Sequence, residues 1–293
     1  GPQPWRALLR ALGRLLSCSA GWKYLARVVG LCVCMDPQLE RFADTLALAG
    51  IDITQPFDVR WYNAHAIEHS LPLSPLPTFE RPPSDGTLAV LLGNSTALWP
   101  AFLRWLAAQP DPESVTDPLD TYTASVISAA VADLTGGARH DIFWVTDSSR
   151  LVSMQRVALV SGLCYHDAET QLSIHPAFGA WVAFRAVVVL DAPAARFGDS
   201  PPPLVRCLLT DADKASARDA MAAALRASDE ANLCTQLHGA KGMERDVRLA
   251  WAALRDCVTV GRDHRYSEAQ LVYHYTKDRE VLMHAMRAQP AAT

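Results

Sequence analysis

A single charged residue inside a long apolar stretch constrains this chain more than any other feature. Residues 181–190 read Trp-Val-Ala-Phe-Arg-Ala-Val-Val-Val-Leu, which is typical of a central β-strand with both faces buried. Arg185 stands in the middle of this run, where a buried charge without a partner would be strongly unfavourable. Either an internal carboxylate pairs with Arg185, or its guanidinium faces a pocket that receives an anion.

Composition sets the class of protein. Half of the 293 residues are hydrophobic, which suffices for one large domain or two small ones without disulfides. The net charge of −4 argues against nucleic-acid binding, and the absence of an uncharged run of 18 apolar residues argues against a transmembrane helix. The seven scattered cysteines predict reduced thiols in a cytoplasmic protein.

The first 34 residues differ from the rest. Arginine and lysine alternate there with apolar residues, and no acidic residue precedes Asp36. We interpret residues 1–34 as a basic extension outside the compact fold, and residues 35–293 as a single domain. An organelle-targeting segment and a helix lying on a membrane surface are the alternatives for the extension.

Apolar spacing and the positions of proline and glycine predict the elements. The predicted helices cover residues 37–46, 97–108, 117–134, 148–165, 211–227, 244–257 and 267–286. The predicted strands cover residues 59–63, 87–92, 142–145 and 181–190, and a proline-rich loop lies between residues 70 and 86. Strands and helices without regular β-α-β alternation indicate an α+β fold.

Familiar catalytic motifs do not identify an active site in this sequence. Residues 93–97, Gly-Asn-Ser-Thr-Ala, approximate the nucleophile turn of hydrolases, but Asn94 or Ser95 is better interpreted as a helix N-cap. His175 is interpreted as a turn histidine bonded to backbone rather than a metal ligand, and the other eight histidines show no shared spacing.

The strand and its preceding turn, Ile-His-Pro-x-Phe-Gly-x-Trp-x-Ala-x-Arg, resemble the signature of the cytosolic cobalamin-processing proteins of the cblC type. Further similar blocks follow the family's order at residues 56–63, 71–73, 87–89, 116–120 and 265–268, so the resemblance spans roughly residues 35–288. It implies a flavin-reductase-like, nitroreductase-related version of the α+β fold, with an antiparallel sheet flanked by helices. Compared with the family, residues of about 211–243 are interpreted as a helical insertion.

The resemblance also implies the chemistry. Family members bind cobalamin with its benzimidazole detached from cobalt and remove its upper ligand, by glutathione-dependent dealkylation of alkylcobalamins or by reductive decyanation of cyanocobalamin. The positions that match cobalamin contacts are Asp147, Val152, Ser153, Met154, Gln155, His166, Ser173 and Phe184. Those that match glutathione-binding arginines are Arg185, Arg255 and Arg279. Without the resemblance, Met154 and Phe184 would be interpreted as core residues, and Arg255 and Arg279 as surface cations.

The resemblance also bears on a flavin cofactor, a partner protein and the oligomeric state, and it leaves these open. Decyanation implies a reduced flavin, FMN or FAD, with NADPH as its source of electrons. A downstream cobalamin-trafficking adaptor is the implied partner, and a homodimer is a further alternative. The chain departs from the family at Leu159, Ala180 and His166, near the expected cleft for the detached base. The competing functions are a trafficking adaptor without a thiol site and a flavin-dependent reductase of the same fold.

Overall fold

The computed structural model describes residues 36–71, 73–194, 197–198, 200–230 and 245–289. The predicted extension at residues 1–34 lies outside the described residues, as does the part of the predicted insertion from residue 231 onward. The division of the chain into an extension and a single domain therefore stays a prediction.

The described residues form six strands and nine α-helices. The strands are β1 (Ile53–Asp58), β2 (Leu88–Asn94), β3 (His140–Trp144), β4 (Tyr165–His166), β5 (Ser173–Ile174) and β6 (Ala183–Leu190). The helices are α1 (Pro37–Leu48), α2 (Val59–Glu68), α3 (Leu98–Ala107), α4 (Pro118–Thr135), α5 (Met154–Val160), α6 (Asp211–Glu230), α7 (Arg245–Asp256), α8 (Glu268–Thr276) and α9 (Arg279–Arg287). None of them is long and apolar enough to cross a bilayer.

The main sheet has four antiparallel strands in the order β1-β2-β6-β3, and β4 and β5 form a separate short hairpin. On the central strands β2 and β6, side chains alternate between two buried faces, as expected for a strand covered on both sides. One face of these strands packs against α1, α3 and α4, and it carries residues 88, 90, 92, 186, 188 and 190. The other face packs against α2 and α5, and it carries residues 89, 91, 187 and 189. The expected antiparallel sheet flanked by helices is confirmed.

A β-bulge interrupts the pairing of the two central strands. Leu92 lies opposite Ala186 and Gly93 lies opposite Phe184, so Arg185 has no partner residue on β2. The carbonyl of Arg185 still accepts a hydrogen bond from the Val145 nitrogen at 3.0 Å on the other side. Because a bulge re-aims the side chain of its extra residue, it directs Arg185 out of the regular alternation.

Three predicted elements are wrong in type or extent. Residues 59–63 begin helix α2 instead of forming a strand, because the Asp58 carboxylate accepts a hydrogen bond from the Arg60 nitrogen at 2.8 Å and caps the helix. The predicted helix 267–286 is two helices, since Lys277 adopts a left-handed conformation with φ of 58°.

The third wrong element is the helix predicted from residue 148 to residue 165. It covers only Met154–Val160, with Ser153 as its N-cap. The expected cap at Asn94 or Ser95 is also wrong: helix α3 begins after Ala97, which makes no side-chain cap bond. Ser95 donates its hydroxyl to Asp52, with the two oxygens 2.5 Å apart, and it accepts a hydrogen bond from the Ala97 nitrogen at 3.2 Å, just before the helix.

Candidate functional site

Arg185 is almost fully buried, with 7% of its surface exposed. Its Nε donates to the Asn94 Oδ1 at 2.7 Å, and its Nη1 lies 4.0 Å from an oxygen of Asp120, whose side chain is 39% exposed. Burial lowers the pKa of Arg185, and the Asp120 charge acts in the opposite direction. A neutral amide and one distant carboxylate compensate the charge only in part, so an anion would find a favourable place here.

A second guanidinium, that of Arg255 on helix α7, lies close enough to lower the pKa of Arg185 further. Its Nη2 donates to the Val182 carbonyl at 3.1 Å, while its Nη1 is buried without a hydrogen-bond partner in the part of the chain that the structure describes. The rings of Trp181, Tyr266 and Tyr275 surround it, with centroids 5.6–6.0 Å from the guanidinium carbon. Arg255 is therefore not a helix-surface cation, and one of its donors is available for a ligand.

Two more basic groups complete what we call the basic recess, defined by Arg185, Arg255, His274 and Lys277. The pKa of His274 is held well below its usual range, chiefly by desolvation and then by the charges of Arg255, Arg185 and Lys277. Desolvation also lowers the pKa of Lys277, although its side chain reaches solvent.

The structure places Arg279 differently from the other two predicted arginines. Its guanidinium donates to the carbonyls of Pro112, Glu113 and Val115, in the loop before helix α4. These bonds tie the start of α9 to that loop. Arg279 also lines a surface cavity of about 740 Å³ together with residues of α9. The structure thus brings Arg185 and Arg255 together and holds Arg279 on backbone groups.

Two predicted cobalamin contacts face each other across the β4–β5 hairpin. His166 pairs with Ser173, and both residues are buried. Neither ring nitrogen of His166 nor the Ser173 hydroxyl has a hydrogen-bond partner among the described residues. Burial lowers the pKa of His166, followed by the effect of the nearby Arg156 charge. Since each buried polar group left unpaired costs about 1–3 kcal/mol, this position suits a ligand with hydrogen-bonding groups.

The remaining predicted contacts have internal partners. Asp147 accepts hydrogen bonds from the hydroxyl and backbone nitrogen of Ser149, which lower its pKa, and it pairs with Arg150 at 3.2 Å. Ser153 caps α5, and the Gln155 amide donates to the Gln171 carbonyl.

The apolar positions divide in the same way. Met154 is buried in the core below α2 and α5, at 5% exposure, whereas Val152 and Phe184 are half-buried at the edge of that core. Only the two edge residues keep surface with which a flat ring could pack.

His175 is a turn histidine, as predicted. Its Nδ1 accepts hydrogen bonds from the backbone nitrogens of Ala177 and Phe178 at 3.1 and 3.2 Å. Burial lowers its pKa to about 4, with a further contribution from His264. The neutral ring therefore organises the turn that leads into β6.

Sequence reasoning missed two sets of residues. Asn94 reaches the basic recess from the end of β2, and His274 and Lys277 reach it from the end of α8, and no local pattern marks them. The second set has a local signal: His65, Glu68 and His69 follow the order His-x-x-Glu-His on α2, and their ligand atoms lie within 4.8 Å of one another. The expectation that the remaining histidines share no spacing is therefore wrong.

Known proteins resemble this chain at modest identity, and no family model matches it. A Danio rerio protein named cyanocobalamin reductase / alkylcobalamin dealkylase is 29% identical over 174 residues, which cover 52% of this chain and 63% of that protein. The Homo sapiens protein of the same name is 27% identical over 278 residues, covering 88% of this chain and 85% of the other.

The chain is similar in sequence to proteins named cyanocobalamin reductase / alkylcobalamin dealkylase. The resemblance found in the sequence is thereby confirmed. A crystal structure of the Caenorhabditis elegans B12-trafficking protein CblC supports the fold, with a TM-score of 0.57 over 84% of this chain and 95% of that one, at 18% identity. At that identity the likeness establishes the architecture alone. The Danio rerio protein is matched over less than two thirds of its length.

Proposed function

We propose that this protein binds cobalamin with its benzimidazole detached and removes the upper ligand. Alkyl groups would be transferred to glutathione, and cyanide would be expelled reductively. The named relatives support the substrate class. The structural observation that carries the proposal is the convergence of the buried Arg185 and Arg255, where the charges exceed the carboxylates that compensate them.

Glutathione fits the basic recess because it carries two carboxylates and a thiol. The unpartnered Nη1 of Arg255 and the guanidinium of Arg185 would each donate to a carboxylate, and such charge-assisted bonds contribute about 1.5–3 kcal/mol each. The surrounding positive charge, with Lys277 at the mouth, favours the thiolate form of the bound thiol. The protein itself supplies no nucleophile in this scheme.

In the dealkylation step, the thiolate attacks the alkyl carbon that is bound to cobalt. A carbon–sulfur bond forms, the cobalt–carbon bond breaks, and its electron pair remains on cobalt as Co(I) while a thioether leaves. Detaching the benzimidazole removes electron density from cobalt, which makes Co(I) a better leaving group. The contribution of the chain is to hold the thiolate and the corrin in mutual reach.

In this proposal, the polar groups near the β4–β5 hairpin bind the amide groups of the corrin. His166 and Ser173 supply unpartnered hydrogen-bonding atoms, and Val152 and Phe184 supply apolar surface at the edge of the core. Met154 supports this wall from inside the core. Leu159 and Ala180 stand near the expected cleft for the detached base, and a close fit of that base stays a prediction.

The proposal extends to finer points that the family suggests. The antiparallel sheet would be a flavin-reductase-like, nitroreductase-related one, and decyanation would use reduced FMN or FAD with NADPH. Transfer of the product to a downstream trafficking adaptor, a homodimer, and a cytoplasmic location belong to the same proposal. Absorbance of a bound flavin, cross-linking to the adaptor, sedimentation and cell fractionation test these points one by one.

The central experiment follows the visible spectrum of methylcobalamin mixed with the protein, first alone and then with glutathione. We expect a shift to the base-off spectrum, followed by loss of the methyl group. Arg185→Ala should slow the thiol step by about 10- to 100-fold while leaving the first shift intact. Lys277→Gln, at an exposed position that cannot disrupt the core, should raise the concentration of glutathione needed.

The control is Arg41→Ala, which removes an exposed arginine on helix α1 that belongs neither to the basic recess nor to the β4–β5 hairpin. Unchanged turnover in both recess variants would refute the assigned role. A base-off shift with no demethylation would favour the non-catalytic adaptor, and NADPH oxidation without cobalamin would favour the flavin-dependent reductase.

A further inference from the structure

The last turn of helix α2 gathers three side chains that bind transition metals in other proteins. His65 and His69 stand one helical turn apart on the same face, and Glu68 lies beside them. One ligand atom of each lies within 4.8 Å of the others. Histidines at i and i+4 are also the pair that holds zinc in helical metal motifs.

The hydrogen bonding of His69 prepares it for this role. Its Nδ1 lies 3.0 Å from the His65 carbonyl oxygen, which can only accept a hydrogen bond. The Nδ1 therefore carries the proton, and the Nε2 keeps its lone pair. A backbone carbonyl behind a histidine is the usual support of a metal-bound imidazole, because it fixes both the tautomer and the orientation of the ring.

His65 supplies an independent observation. Its Nε2 is buried and has no hydrogen-bond partner among the described residues. A buried imidazole nitrogen without a partner gains a bond when it binds a metal, so the site offers one ligand atom that the protein leaves unused.

We propose that His65, Glu68 and His69 form a binding site for a divalent transition-metal ion of the zinc type. Two imidazoles and a carboxylate are a ligand set that zinc accepts, with a fourth position left to solvent. The ring centroids of His65 and His69 lie 4.0 Å apart, close enough for both imidazoles to reach one ion at metal–nitrogen distances of about 2.0–2.1 Å after rotation of the side chains. The ion would fix the end of α2 where the proline-rich loop begins.

This site is independent of the proposed cobalamin chemistry, so it is tested with the metal alone. Zinc is titrated into the purified full chain against a chromophoric chelator, and the number of bound equivalents is measured. We expect His69→Ala and His65→Ala each to remove one equivalent or to weaken it by at least about 10-fold. Because His69 is exposed, His69→Ala leaves the fold intact.

The matched control is His140→Ala, since His140 is also exposed and its Nδ1 lies 2.9 Å from a backbone carbonyl, that of Ala138. It should keep the full number of equivalents. Zinc bound by the cysteine thiols adds equivalents that neither histidine variant removes. Equal stoichiometry and affinity in the unaltered chain, His65→Ala and His69→Ala, or an equal loss in His140→Ala, would overturn the proposal.

Discussion

At the scale of single residues, burial decides how the basic groups of this protein behave. Arg185 keeps its charge in a nearly closed setting because Asn94 and Asp120 compensate part of it. His175, by contrast, is neutral, and its Nδ1 therefore accepts two backbone hydrogen bonds. The first arrangement suits a ligand site, and the second suits a structural turn.

The low pKa of His175 makes a prediction about stability. The folded pKa of about 4 lies below the unfolded value of about 6.5, so the unfolded chain binds the proton more readily. The contribution to stability is complete above pH 6.5 and is lost as the pH falls towards 4, by up to about 3 kcal/mol. Urea unfolding between pH 7 and pH 4 measures this loss.

A variant isolates the effect of this histidine. His175→Asn keeps an acceptor for the two backbone nitrogens but cannot titrate, so its stability should depend less on pH in this window. His284→Asn, at an exposed position on α9, serves as the control and should retain the full pH dependence. An unaltered pH dependence in His175→Asn would contradict the assignment.

At the scale of elements, two turns position the basic recess by packing backbone against backbone. Gly179 ends the turn before β6, and Gly261 starts the short turn that leads towards α8. A Cβ on Gly179 would lie 1.8 Å from the Val260 carbonyl oxygen, and one on Gly261 would lie 2.2 Å from the Phe178 carbonyl carbon. The strand that carries Arg185 and the segment that carries Tyr266 are thereby held in register.

Gly179→Ala should therefore destabilise the protein and also weaken glutathione binding. The comparison is Gly136→Ala. The φ of Gly136 is 54°, close to the 59° of Gly179, but a Cβ on Gly136 would meet open space. Gly136→Ala should cost only the conformational penalty of about 1 kcal/mol, and Gly179→Ala clearly more, because backbone cannot move aside cheaply. Chemical denaturation of both variants measures the difference. Equal losses would show that the two turns can separate freely.

At the scale of the whole molecule, ligand binding should appear as added stability. A ligand that binds only the folded state at 100 times its Kd stabilises by about 2.7 kcal/mol. For methylcobalamin we expect the Tm to rise by roughly 4–5 °C in a chain of 293 residues. A cobinamide, which lacks the benzimidazole tail, should raise it to a similar extent, since the proposed binding mode leaves that base off cobalt.

Thermal unfolding with each corrin in turn checks this expectation. The measurement uses the full chain and reads out binding without turnover. A rise with methylcobalamin alone would mean that the tail carries the affinity. The absence of any shift at saturating concentrations of both ligands would remove the corrin from the proposal.

The sequence alone determined the features that depend on local pattern. The apolar run at residues 181–190 could only be an interior strand, the prolines between residues 70 and 86 excluded regular structure there, and Arg185 was visible as a charge out of place. The collinear blocks showed the resemblance to the cyanocobalamin reductase / alkylcobalamin dealkylases for the same reason: each is a short stretch of neighbouring residues.

Only the tertiary structure decided what each of these residues meets. Both patterns suit Val59 and Trp61, and residues 59–63 become helix because β1 pairs with β2 only as far as Asp58. Arg255 joins Arg185 from 70 positions away, and Arg279, although matched in the same manner, is bound to carbonyl groups of a loop instead. Periodicity along the chain encodes which side of an element is buried, but the partner of a buried charge depends on which distant segments pack against it.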